Sequence, residues 1–261
     1  MLWHRVLSAL VGIPVILAAV WAGGIPLLVF TGLLLVLGLS ELTGMLKRME
    51  LRPSRGLAIF GGLILLAGTY ISGEREGSLV TLIIVLNLLA IVFWRRSFSP
   101  VDAATTIFCT FYVGLIVYVY LLRSIPEGLA WLLLLLACTW ASDTMAYFAG
   151  RKFGRVRLAP DLSPGKTVEG AAGGVLGSIV AALIVAQFYP QLPWLHLLIL
   201  GFLVGLVGQL GDLVESALKR QTGVKDAGTL IPGHGGIMDR FDSMLLTAPL
   251  VYYYVGLFIM I

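Results

Sequence analysis

The chain has 261 residues, of which 59% are hydrophobic and only 12% charged, with a formal net charge of +4 and a mean hydropathy of +0.97. A soluble domain carries about 25% charged residues, so a single aqueous globule is excluded and the chain reads as an all-α, polytopic integral membrane protein. The two cysteines, Cys109 and Cys138, lie inside apolar runs and read as small hydrophobes, neither a disulfide nor a metal pair.

A membrane-crossing helix needs about 20 predominantly apolar residues. In chain order, nine segments meet that need: 6–22, 25–46, 56–72, 78–94, 101–123, 127–150, 168–190, 194–220 and 241–260. The first is not followed by a small-residue cleavage site and reads as a retained helix. Breaks such as Gly23-Gly24 before Pro26 mark tight connections. The division expected is an N-terminal membrane region over 1–125, with about five helices, and a catalytic membrane region over 126–261. No repeat or low-complexity stretch is evident.

Charge tests this count. Counting the N-terminus and every second loop collects Arg5, Lys47, Arg48, Arg52, Arg55, Arg95, Arg96, Arg151, Lys152, Arg155, Arg157, Lys166, Lys219, Arg220, Lys225 and Arg240, sixteen of the eighteen basic residues. Arg75 and Arg123 fall on the other side. Basic residues favour the cytoplasmic face, so nine spans with the N-terminus inside and the C-terminus outside are expected. The two long loops, 151–167 and 221–240, then both face the cytoplasm, where polar substrates would be met. A multi-pass location in the cell (inner) membrane follows, with no nucleic acid partner.

The window 211–242 holds five of the fourteen acids, Asp212, Glu215, Asp226, Asp239 and Asp242, together with Lys219, Arg220, Lys225 and Arg240. An ionisable group inside a span is costly and points to function. Asp143 lies seven residues before Gly150, and Asp212 seven before Lys219. At 1.5 Å per residue each sits roughly 10 Å inside its cytoplasmic helix end, so the two carboxylates match in depth. Asp212, Glu215, Ser216 and Lys219 follow i, i+3, i+4, i+7 spacing and share a helix face. The bland reading of these acids is a helix staple neutralised by a neighbouring base. It does not explain the loop that follows, Pro232-Gly233-His234-Gly235-Gly236, whose glycines let backbone N–H groups approach a phosphate.

The other long loop reads Gly150-Arg151-Lys152-Phe153-Gly154-Arg155 and then Leu162-Ser163-Pro164-Gly165-Lys166-Thr167-Val168-Glu169-Gly170. Lys166 and Thr167 at a helix N-terminus suit an anion. The stretch is not a P-loop, because the earlier glycine of that motif and its βαβ setting are absent. Positive-inside charge accounts for Arg151, Lys152 and Arg157 better than for Lys166. Glu41, six residues before Lys47, is a supporting polar contact or a helix-end charge. His4 and His196 are isolated, Arg95-Arg96 reads as a topology signal, and Tyr252-Tyr253-Tyr254 as interfacial packing.

Acids, bases and glycine loops of this kind match phosphoryl or nucleotidyl transfer. A divalent cation takes oxygen ligands from a few carboxylates and shares the rest with phosphates and water. No Ser-His-Asp or Cys-His set is evident, and none is required if the nucleophile is a lipid phosphate, whose second pKa is near 6.

The run Ser216-Ala217-Leu218-Lys219-Arg220, then Lys225-Asp226-Ala227-Gly228, then Ile231-Pro232-Gly233-His234-Gly235-Gly236-Ile237-Met238-Asp239-Arg240-Phe241-Asp242 resembles the signature of the phosphatidate cytidylyltransferase (CDP-diacylglycerol synthase) family. Asp143-Thr144-Met145-Ala146-Tyr147-Phe148-Ala149-Gly150 and Ser163-Pro164-Gly165-Lys166-Thr167-Val168-Glu169-Gly170 are similar to it as well, so the motifs cover about 140–245. The resemblance implies a homodimeric membrane enzyme joining CTP to phosphatidate with Mg²⁺. It also implies a metal centre at Asp212 and Asp239, with a potassium ion as second cation. The roles expected are catalytic for Asp212, Asp239, Lys219, Lys166 and Asp143. Substrate binding is expected from Ser216, Arg220, Lys225, Asp226, His234, Gly235, Gly236, Arg240 and Glu169. The rival readings are a CTP-dependent transferase or kinase acting on a polyprenyl lipid, and a cation transporter using Asp143 and Asp212. The nearly featureless outer loops argue against the transporter.

Overall fold

In lipid every backbone N–H and C=O must be satisfied within its own segment, so apolar runs of this length become helices. The computed structural model describes residues 2–72, 76–228, 230 and 235–260. Each apolar segment is helical there: α1 (Leu2–Ala22), α2 (Gly24–Leu46), α3 (Arg55–Ser72), α4 (Glu76–Phe93), α5 (Pro100–Gly114), α6 (Val117–Ser124), α7 (Gly128–Phe153), α8 (Val168–Phe188), α9 (Trp194–Gln221) and α10 (Met238–Phe258). Six of these stretches are long and apolar enough to cross a membrane: Gly24–Met49, Pro100–Ser124, Gly128–Phe153, Val168–Phe188, Trp194–Gln221 and Met238–Phe258. The apolar stretches Leu10–Ala22, Arg55–Ile71 and Ser78–Phe93 are shorter. Arg75, one of the two bases expected on the outer side, lies outside the described residues.

Two local features depart from the expected helices. The segment 101–123 is broken after Gly114, where Leu115 and Ile116 donate to the carbonyls three residues back, at Tyr112 and Val113. The tightened turn separates α5 from α6. The loop 151–167, expected to be irregular, contains an antiparallel hairpin of β1 (Arg157–Ala159) and β2 (Ser163–Thr167). Arg157 stands opposite Thr167 and Ala159 opposite Ser163, with an irregularity in register between them. Its strands lack apolar alternation, and β2 contains Pro164 and Gly165, both poor strand formers.

The chain packs as two compact units. One comprises Met1–Leu121 and Lys219–Phe241, and the other Leu122–Leu218 and Asp242–Ile261. In the first unit α2, α3 and α5 pack around Leu35, Leu39 and Leu42, all fully buried. Ser99 caps α5 with a full capping box: its hydroxyl accepts from Asp102 N at 3.2 Å, and Asp102 accepts from Ser99 N at 2.8 Å.

In the second unit small residues set the helix spacing, as expected where helices associate by close packing. A Cβ at Gly177 of α8 would lie 2.6 Å from Met145 Cγ and 2.9 Å from the Ala141 carbonyl of α7. A Cβ at Gly205 of α9 would lie 2.9 Å from Val175 Cα of α8, and one at Gly211 would lie 2.8 Å from the Asp242 carbonyl of α10. These contacts bring α7, α8, α9 and α10 together where their acids lie.

Candidate active site

In the second unit the hairpin and the start of α8 present Lys166. Thr167 is the N-cap of α8, its hydroxyl accepting from Gly170 N at 3.1 Å. Glu169, in the first turn, accepts from Arg155 N at 3.0 Å and Val156 N at 3.3 Å. This carboxylate therefore ties the hairpin's entry to α8. Lys166, held on β2 by that frame, forms an ion pair with Asp212 of α9. Ser216, one turn on, donates to Asp212 Oδ1 at 3.3 Å. Both partners of the ion pair keep some exposure, 24% for Lys166 and 33% for Asp212.

Further acids lie in this unit. Asp242 of α10 has its backbone carbonyl 2.8 Å from where a Cβ on Gly211, the neighbour of Asp212, would stand. Its own Oδ1 accepts from Ser243 N at 2.6 Å. Glu215 is completely buried and Asp143 is exposed on α7. Asp143 of α7, Asp212 and Glu215 of α9 and Asp242 of α10 all belong to this unit, and Lys166 pairs with Asp212. Carboxylates inside membrane helices are costly, and their oxygens are the donors that a hard divalent ion takes.

In the first unit the signature loop is organised around Asp239, on the first turn of α10. Lys219 Nζ donates to its Oδ1 at 2.7 Å. Ala227 N at 2.9 Å and Gly236 N at 2.7 Å both donate to its Oδ2. Asp239 therefore draws the two ends of the loop together and holds a lysine, with only 6% of its side chain exposed. Gly235 takes a left-handed φ of 79°, and a Cβ there would lie 2.6 Å from Asp239 Oδ2. Asp226, Lys225, Arg220 and Arg240 are exposed around this loop. His234, with Pro232 and Gly233, lies outside the described residues.

Glu41 of α2 completes this arrangement. Its carboxylate accepts from Ile237 N at 3.0 Å and Met238 N at 2.9 Å, which are amide donors at the start of α10. A Cβ at Gly236 would lie 2.5 Å from Glu41 Oε2, and one at Gly228 would also collide with this carboxylate. Gly228 and Gly236 therefore make room for an acid almost two hundred residues away.

No group of three or more His, Cys, Asp or Glu side chains stands ready to hold a metal ion among the described residues. The donor set still fits Mg²⁺, which commonly takes one or two carboxylates and completes its shell with water and phosphate. Asp212 and Asp239 each already face a cation, the ammonium of Lys166 and of Lys219 respectively. In both cases the carboxylate presents its oxygens to positive charge.

A family model described as the cytidylyltransferase family matches residues 3–258. The phosphatidate cytidylyltransferase of Staphylococcus saprophyticus is 38% identical over 253 residues, covering 95% of this chain and 96% of that protein. That of Staphylococcus aureus is 36% identical over 254 residues, again covering 95% and 96%. The protein of the same name from Synechocystis is 35% identical over 284 residues, covering 97% and 96%. The chain belongs to the cytidylyltransferase family.

In this cytidylyltransferase-family chain the sequence assigns no role to Asp242 or Glu215, and reads Glu41 only as a supporting polar contact or a helix-end charge. Asp242 stands one turn after Asp239, and Glu215 one turn after Asp212, so i+3 spacing was the available signal. Glu41 offered only its position inside an apolar span. Its partners are backbone amides, which sequence does not distinguish.

Proposed function

We propose that this protein transfers the cytidylyl group of CTP to phosphatidate, giving CDP-diacylglycerol and pyrophosphate. The observation that carries this reading is that relatives named for the reaction align with nearly the whole chain. The cytidylyltransferase family model also runs through both clusters of this chain. In the reaction a phosphate oxygen of phosphatidate attacks the α-phosphorus of CTP. A new P–O bond forms and the bond from the α-phosphorus to the bridging oxygen breaks. The electron pair leaves on pyrophosphate. The attacking phosphate monoester is largely ionised at pH 7, so no protein base is required to activate it.

The chain's residues bind and orient. Lys166 and Lys219, each resting against a carboxylate, hold phosphate oxygens as these arrive. Arg220, Lys225 and Arg240 supply further positive charge for the triphosphate and the lipid phosphate. Asp226, His234, Gly235 and Gly236 shape the loop around substrate. Ser216 orients Asp212, while Asp143 and Glu169 support a cation or water. Asp212 and Asp239 would hold Mg²⁺, which supplies charge neutralisation on the phosphates, with a potassium ion as second cation. We further infer nine spans with the N-terminus in the cytoplasm, the active site on that side, and a homodimer.

The test is direct. Purified protein is incubated with CTP, phosphatidate and Mg²⁺, and CDP-lipid and pyrophosphate are measured beside a polyprenyl phosphate control. Equimolar formation of both products with phosphatidate is expected, abolished by chelation and restored by Mg²⁺. Absence of product from folded protein, or preference for the polyprenyl substrate, overturns the reading.

A further inference from the structure

The first unit carries a second concentration of charge that the proposed reaction does not use. After α2 the chain passes through a 3-10 turn, Lys47–Met49, and reverses at Glu50, whose φ is 62°. After α4 it turns again through Arg95 and Arg96. Asp102 fastens the two loops together: its Oδ1 accepts from Arg52 N at 3.1 Å, and its Oδ2 from Ser99 N and Ser99 Oγ, both at 2.8 Å. Thr106 Oγ accepts from Ser54 N at 2.8 Å. Phe98, only 7% exposed, packs with Ala90 and Ala103 beneath the second loop.

Between these loops lies a cavity of about 1070 Å³. Lys47, Arg52, Arg95 and Arg96 line it, and all four are exposed. Two acids share the lining, but the carboxylate of Asp102 is already engaged by three donors, leaving Glu50 against four cations. Positive-inside topology explains why bases lie at this end of the helices. It does not explain why two loops stitched by a buried acid should hold four of them around one open space. Charges of one sign held in a fixed cavity favour an anion, and guanidinium groups match the geometry of phosphate.

The neighbouring surface specifies the carrier of that phosphate. Val92, Phe93, Trp94 and Val101 are 67, 77, 53 and 57% exposed on the helix ends adjoining the loops. Trp at such a position marks the interfacial belt of a membrane protein. A basic cavity adjoining an exposed apolar wall suits a phosphate with acyl chains attached.

We propose that this cavity binds the phosphodiester headgroup of an anionic phospholipid, as a site separate from the residues assigned to cytidylyl transfer. The test is titration of detergent-purified protein with phosphatidylglycerol, followed by native mass spectrometry. Phosphatidylcholine of the same acyl composition and inorganic phosphate are the comparison ligands. Preferential retention of phosphatidylglycerol is expected, weakened about fivefold for each base removed in R95Q/R96Q. The K47Q/R52Q pair, on the other loop, should weaken it likewise and guards against misfolding of the first variant. Equal retention by folded variants and the parent overturns the proposal. Displacement of the lipid by an equal concentration of inorganic phosphate overturns the lipid assignment in favour of a soluble phosphate. CDP-lipid synthesis measured on the same preparations reports separately on the reaction.

Discussion

At Asp239 a single carboxylate takes a lysine and two backbone amides, and at Asp212 another takes a lysine and a serine. Each acid therefore orients a base, and under the proposed function each would also offer oxygen to a metal. Asp212→Asn keeps the volume but removes the charge that holds Lys166, and turnover should fall at least about 100-fold in folded protein. The steady-state rate of CDP-lipid formation checks it, and near-parental turnover would overturn the proposed metal role of Asp212. Glu41 acts one step further out, on backbone amides. Glu41→Ala leaves two of them without their acceptor and should cost about 1–3 kcal/mol, read by thermal unfolding. Gly236→Ala should be destabilising in the parent, where its Cβ meets the Glu41 carboxylate, and less so in the Glu41→Ala background. A double-mutant cycle with coupling above about 0.5 kcal/mol is expected, and strict additivity would show that the two do not share a contact.

Elements are positioned by caps and by small residues. The Gly177 approach of α8 to α7 leaves no room for a branched side chain. Gly177→Leu should cost at least about 1–3 kcal/mol through overpacking and should disturb Asp143, which lies on the opposing helix. Melting temperature and turnover should fall together, and an unchanged melt would contradict the packing. The helices themselves were legible from hydropathy, because lipid leaves the backbone no alternative. The hairpin 157–167 was not legible. Its ladder rests on backbone pairing between segments rich in proline, glycine and charge, and nothing in those side chains has a period of two. The break after Gly114 was equally invisible, since the residues on both sides are apolar and differ only in local hydrogen bonding.

For the whole molecule, the nine spans proposed above would place loop 151–167 and the residues around Gln191 on opposite faces. Cys109 and Cys138 are both buried, so they form a quiet background for thiol labelling. Gln191→Cys should react with an impermeant thiol reagent in intact cells, and Lys152→Cys only after permeabilisation. The reverse pattern would invert the topology, and labelling of both in intact cells would remove one span. Composition alone determined the membrane class, and the dense motifs at 140–245 determined the family, because both are local properties of the residues. Tertiary structure alone decided what each carboxylate does. It gave Asp239 to Lys219 and the loop amides, Asp212 to Lys166, Glu169 to the hairpin entry and Glu41 to the start of α10. These partners are distant bases and anonymous backbone N–H groups, and only the packed chain determines which of them a given acid meets.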